Sequence, residues 1–157
     1  MTEPMPPEVP AAGASSTAVR PWPVLFGSPV ATIRVGAPAG DVMALVAEEL
    51  RRGGLRVQVG ADGRSLQART RRSLVLNLVQ VLNPVELFSS PTFTVTVLEE
   101  GPAGTALEAA IRTTRSDQMR LAVPDALNRA VATLRAHGVQ VDVGPWDRWM
   151  RGRRIPV

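Results

Sequence analysis

His137 is the only histidine in a chain without cysteine, so neither a multi-histidine nor a thiolate metal site can be assembled from its residues. It falls in the last turn of a predicted helix, where an imidazolium suits the negative end of the helix dipole. The carboxylates include two adjacent pairs, Glu48-Glu49 and Glu99-Glu100, whose members point different ways and are read as solvated surface. A two-carboxylate hydrolytic site needs two acids converging on one cleft, and no spacing here demands that. Gly36-Ala37-Pro38-Ala39-Gly40 joins a strand to a helix, as phosphate-binding loops do. It has neither the GxGxxG spacing nor the GxxxxGKS/T ending, and is read as a structural connection. Ser28, Ser65, Ser73, Ser89, Ser90 and Ser116 stand outside any GxSxG elbow. The expectation is a chain with no catalytic residue, no cofactor and no metal, and not an enzyme.

Its charge is carried in an unusual way. All 18 basic residues are arginine, against 14 acidic ones, for a net charge of +4. Arginine pairs well with carboxylates and phosphates. Arg64, Arg69, Arg71 and Arg72 lie close in sequence, and Arg148, Arg151, Arg153 and Arg154 crowd the C-terminal end. Phosphate contacts of this kind give salt-sensitive, sequence-blind binding. No recognition helix and no exposed aromatic strand face accompany them, so nucleic acid is not the favoured partner.

Two segments do ask for a partner. The first is residues 73–90, SLVLNLVQVLNPVELFSS. Drawn as a helix up to Asn83, it sets Leu74, Val75, Leu78, Val79, Val81 and Leu82 along an apolar arc of roughly 160°. Asn77, Gln80, Asn83 and Ser73 fall opposite, Pro84 stops the helix, and Leu87 and Phe88 extend the apolar surface. The polar side carries no charge. Left in water, such side chains would cost several kcal/mol at about 25 cal/mol per Å². They are covered either by the protein's own core or by a partner. The second segment is the C-terminal run from Trp146 to Arg154. Trp146, Trp149 and Met150 share a face at helical spacing, with Arg148, Arg151, Arg153 and Arg154 around it. Tryptophan beside arginine suits a protein interface or a short segment lying on anionic lipid. Alternatively, the indoles fold back to close the open end of the core, with Trp22 doing the same at the other end.

The elements that would carry these segments follow from periodicity. Residues 31–35 read as a first strand. Val42, Leu45, Val46 and Leu50 recur at helical spacing after Pro38, with Asp41 early, Arg51-Arg52 late and Gly53-Gly54 as the stop. Residues 55–59 and 66–70 alternate around an Asp62-Gly63 turn, and residues 92–97 and 107–113 do so around Gly101-Pro102-Ala103-Gly104. A second helix is predicted from Pro124 to His137, followed by a short valine strand at 139–143. The run Leu50-Arg51 to Gly60 is echoed by Leu134-Arg135 to Gly144, compatible with either duplication or a generic helix, glycine and strand order.

With 157 residues, 45% hydrophobic and only 4% aromatic, the chain has room for one aliphatic core. The expected organisation is a flexible, proline-rich tail over 1–23, one domain over 24–145 and a Trp/Arg-rich tail over 146–157. The domain is expected to be an α+β two-layer sandwich, with an antiparallel sheet of five to six strands and two helices on one face. That layout loosely resembles ferredoxin-like or TATA-binding-protein-like folds, and no motif carries a function across from either. A cytoplasmic location is expected. The expected function is a protein-interaction or assembly module, a homo-oligomer or subunit of a larger complex. The alternatives are a peripheral protein on anionic lipid or a carrier of a small apolar ligand.

Overall fold

A computed structural model describes residues 18–22, 28–70, 91–112, 117–150 and 153–155. Its elements run β1 (Pro29–Val35), α1 (Ala39–Arg52), β2 (Leu55–Val59), β3 (Ser65–Thr70), β4 (Thr92–Gly101), β5 (Gly104–Arg112), α2 (Asp117–Ala136), β6 (Val141–Val143), β7 (Asp147–Met150) and β8 (Arg153–Ile155). The strands form one sheet in the order β2-β3-β4-β5-β1-β7-β8, with β6 also pairing β1. Each of these pairings is antiparallel.

Strand alternation decides which face carries the helices. Ile33 and Val35 of β1, Leu55 of β2, Leu66 and Ala68 of β3, Phe93 and Val95 of β4, and Leu107, Ala109 and Ile111 of β5 are all buried in one cluster. Both helices press their apolar stripes onto that face. The α1 stripe is Val42, Met43, Val46, Ala47 and Leu50; that of α2 is Met119, Val123, Ala126, Leu127, Ala130, Val131 and Leu134. The result is the expected two-layer α+β sandwich, built from aliphatic side chains around Phe93. No helix among the described residues is long and apolar enough to cross a membrane.

The sheet is wider than expected because the C-terminal end joins it. Gly144-Pro145 reads as a stop in sequence, yet the strand resumes beyond it. Residues 141–143 pair with Val35, Arg34 and Ile33, while Asp147 and Arg148 pair with Val30 and Pro29. The register has slipped by one between the two stretches, so Pro145 and Trp146 together face Ala31, as in a β-bulge. A bulge is where a proline, which has no amide hydrogen to give, can sit inside a sheet. Gly144 holds the ladder just before it, donating its N–H to the Thr32 carbonyl at 2.9 Å.

Helix α2 begins at Asp117, seven residues before the expected start at Pro124, and carries that proline inside it. Proline loses one backbone bond and crowds the preceding turn. Against that, the turn before it buries Met119 and Val123, at 1% and 0% exposure, so packing overrides the local penalty. Helix α1 starts as expected, but its cap was invisible in sequence. Pro38 offers no capping side chain, and Glu100 from the end of β4 accepts the Ala39 N–H at 3.0 Å instead.

Candidate functional site

The sequence singled out Leu74, Val75, Leu78, Val79, Leu82, Leu87, Phe88 and Arg151, and all of them lie outside the described residues. What the fold supplies is the place from which the 71–90 stretch springs. Strands β3 and β4 are hydrogen-bonded neighbours, and Arg69 pairs directly with Thr92. The stretch therefore leaves and re-enters the sheet at adjacent rungs of one ladder.

The other named residues belong to the C-terminal run. Trp146 is 9% exposed and stands in the core rather than on an interface face. Its ring meets Trp22 edge-on with centroids 5.2 Å apart, and its Nε1 donates to the Arg20 carbonyl at 2.7 Å. Trp22 is buried too, at 3%. Both indoles thus close the end of the core, and residues 19–22 are held to the domain. Asn128 of α2 fixes them further: its Oδ1 accepts the Val19 N–H at 2.8 Å and its Nδ2 donates to the Val19 carbonyl at 2.9 Å. Arg148 is half-buried in β7 and faces Pro29 of β1 and Ile155 of β8 across the ladders. Trp149 and Met150 lie on the same strand, paired with Arg154 and Arg153. The helical spacing seen in sequence is therefore realised as an extended hairpin. The edge of β1 pairs Asp147 and Arg148 while β8 pairs Trp149 and Met150, giving hydrogen-bond partners that a four-residue helical turn could not match. Asp147 and Arg154 form an ion pair within the hairpin, and Arg154 also donates to Thr32 Oγ1 at 2.6 Å.

The face of the sheet turned away from the helices is polar. Along its end nearest the 71–90 stretch runs a row that crosses four strands: Arg56 opposite Arg69, Arg69 opposite Thr92, Thr92 opposite Arg112. All three arginines are exposed and lie on the side opposite Leu55, Ala68 and Ile111. Among the described residues neither Arg56 nor Arg69 forms an ion pair. Like charges placed directly opposite one another destabilise a sheet. Sequence reading picked out Arg69 but missed Arg56 and Arg112. The clue was their outward position in each alternating strand, but the register that aligns them is not written locally.

The remaining polar features are committed to structure. Glu49, expected on the surface, is 3% exposed, because α2 packs across it. Its carboxylate takes Arg129 Nε at 2.8 Å and also pairs with Arg52, while Glu48 pairs with Arg52 at 3.0 Å. Glu100 is likewise engaged, accepting from Ala39 and pairing with Arg64 at 3.1 Å. It occupies the helix end that a phosphate loop would need, and Gly36 N–H is bonded to the Gln140 carbonyl at 2.9 Å. An open cleft of about 860 Å³ lies beside this connection, between the β4–β5 turn and residues 139–142, with Arg34, Glu99 and Asp142 at its rim. Between sheet and helices the void bounded by Ile33, Val95, Leu107 and Leu127 measures only about 10 Å³, too small for an apolar ligand. Among the described residues no three His, Asp or Glu side chains group as a metal site would require.

No family model matches the chain, and no curated protein matches it. Among solved structures it is similar to the crystal structure of a hydantoinase/carbamoylase family amidase from Burkholderia ambifaria. The match has 20% identity and a TM-score of 0.36, over 82% of this chain and 32% of that one. The chain thus spans about a third of the amidase's length. Beside this likeness the expectation that the chain is not an enzyme is withdrawn. At this TM-score the likeness assigns no reaction, substrate or catalytic residue.

Proposed function

We propose that the chain is a protein-interaction module that self-associates, with the 73–90 stretch as its contact surface. One observation carries this reading. Two neighbouring antiparallel strands need a turn of about two to five residues, and loops beyond about 15 are uncommon, being either functional or linker segments. Here residues 71–91 connect the two strands, and their sequence is rich in apolar residues, with no charge between Ser73 and Val85. The topology does not require it. Space in the sandwich is also short, since the void between sheet and helices is about 10 Å³. Apolar side chains at a contact between copies would be removed from water, which is the main drive for association.

The test uses the layout of the ladder. Replacing residues 73–90 with a short Asn-Gly turn should leave the sandwich folded, because Arg69 and Thr92 already face each other. Light scattering over a dilution series is expected to show an oligomer for the full chain and a monomer for the replacement. A full chain that stays monomeric at every concentration, or a replacement that associates equally well, overturns the reading.

A further inference from the structure

We propose that the outer edge of β2 is a docking site for one extended, acidic strand of a partner protein. The proposal rests on the described sheet and not on the self-association proposed above. Among the described residues β2 ends the sheet, with β3 on one side and no strand on the other. Its pairing with β3 runs unbroken from Leu55 to Val59, with no bulge and no proline. Bulges, prolines and outward charges are the usual guards against pairing at a sheet edge. Of these, β2 has only the charge of Arg56.

The phase of the ladder decides which backbone groups are on offer. Gly60 donates its N–H to the Ser65 carbonyl at 2.8 Å, one rung beyond the Val59–Leu66 pair. Bonded and non-bonded rungs alternate in an antiparallel pair, so Gln58 and Arg56 are the residues bonded to β3. Leu55, Val57 and Val59 therefore turn their N–H and C=O groups outward, at the spacing an added strand uses.

The side chains then select the occupant. Val57 is half-buried against the core and Val59 is 47% exposed, both on the helix side with Leu55. An incoming strand meets apolar neighbours on that side. On the opposite face its residue across from Arg56 meets a guanidinium with Arg69 directly behind it. Neither arginine forms an ion pair among the described residues. A carboxylate there is complementary to the pair, and a cation is repelled. A second copy paired symmetrically about Val57 would set Gln58 across from Arg56 and bring another Arg56 and Arg69 onto the same face. Charge thus favours an acidic partner strand over a second copy.

The probe is a fluorescein-labelled peptide, Ser-Val-Thr-Val-Glu-Val-Ser, whose glutamate falls across from Arg56 when the strands run antiparallel. Its binding to the full chain is followed by fluorescence polarisation. Saturable binding is expected, with a glutamine version of the peptide about fivefold weaker and a lysine version weaker again. Arg56→Glu should reverse that order. In amide hydrogen exchange followed by NMR, the chain alone should protect Arg56 and Gln58 but not Val57 and Val59. Peptide should add protection at Val57 and Val59. Val57→Pro removes one outward donor where an edge strand tolerates proline, and should abolish binding with the circular dichroism unchanged. Should that variant unfold, the exchange pattern of the unaltered chain decides. No saturable binding, equal affinity for the three peptides, or protection gained only elsewhere overturns the proposal. So does a Val57→Pro chain that turns from oligomer to monomer, because a second copy then occupies this edge. Peptide binding by a full chain that is monomeric at every dilution upholds the site while the self-association reading fails.

Discussion

Gly104 shows how one residue can hold a corner of the fold. It sits at φ +123° where the β4–β5 turn meets the end of β1, and a Cβ there would stand 2.2 Å from the Val35 carbonyl oxygen. The contact leaves room for no side chain, and the backbone angle is one that other residues seldom adopt. On either side of it, Thr105 donates to the Ala37 carbonyl at 2.8 Å and Glu100 caps α1, so the hairpin tip and the β1–α1 connection are one locked unit. Gly104→Ala is expected to cost about 3 kcal/mol, read as a lower urea midpoint with an unchanged slope. The same substitution at Gly40, where a Cβ meets nothing within 4 Å, should be harmless or slightly stabilising. Equal responses at the two positions would contradict this account of the corner.

At the scale of elements, Glu49 links the two helices. Its side chain is buried on α1 while Arg129, its partner on α2, is 41% exposed on its side-chain surface. Arg129 also donates to the Glu49 backbone carbonyl at 3.2 Å, so the guanidinium spans both the side chain and the end of α1. Because both arginines around Glu49 can regain water, Glu49→Ala should cost only about 1–2 kcal/mol, less than breaking a fully buried pair. A double-mutant cycle between Glu49 and Arg129, scored by urea unfolding, should show coupling above about 0.5 kcal/mol. Additive behaviour would mean that the helices are held by apolar contact alone. This link was misread in sequence because charge and position say nothing of what packs above. Asp41, Arg51-Arg52 and the stripe from Val42 to Leu50 were legible, since they depend only on helical spacing. The wide sheet was not, because Gly144-Pro145 is a local stop signal and only the free edge of β1 makes the strand resume.

For the molecule as a whole, the unexpected finding is that residues 19–22 meet Trp146. Val19 and Trp22, from a segment whose prolines suggested a loose tail, lie in the same cluster as Trp146. Asn128→Ala removes both hydrogen bonds to Val19 and should weaken the attachment by about 1–2 kcal/mol. Tryptophan emission should then shift to the red and become open to quencher well below the midpoint of global unfolding. If emission and helix content still change together, the segment is held by the indole contact and not by Asn128. Composition could announce that few aromatics would be found in the core, but not that Trp22 and Trp146, far apart in sequence, would be partners. The same limit applies to the candidate surfaces. The apolar run 73–90 was plain in sequence, whereas the arginine row exists only once β2, β3, β4 and β5 are set in register.

That register has a practical side. Arg69 and Thr92 are cross-strand partners, so their Cα atoms stand roughly 5 Å apart, whatever runs between them. Any peptide whose ends can be brought that close can be grafted there without asking the sandwich to adjust. The β3–β4 junction is in effect a socket, its width set by the rungs of the ladder on either side.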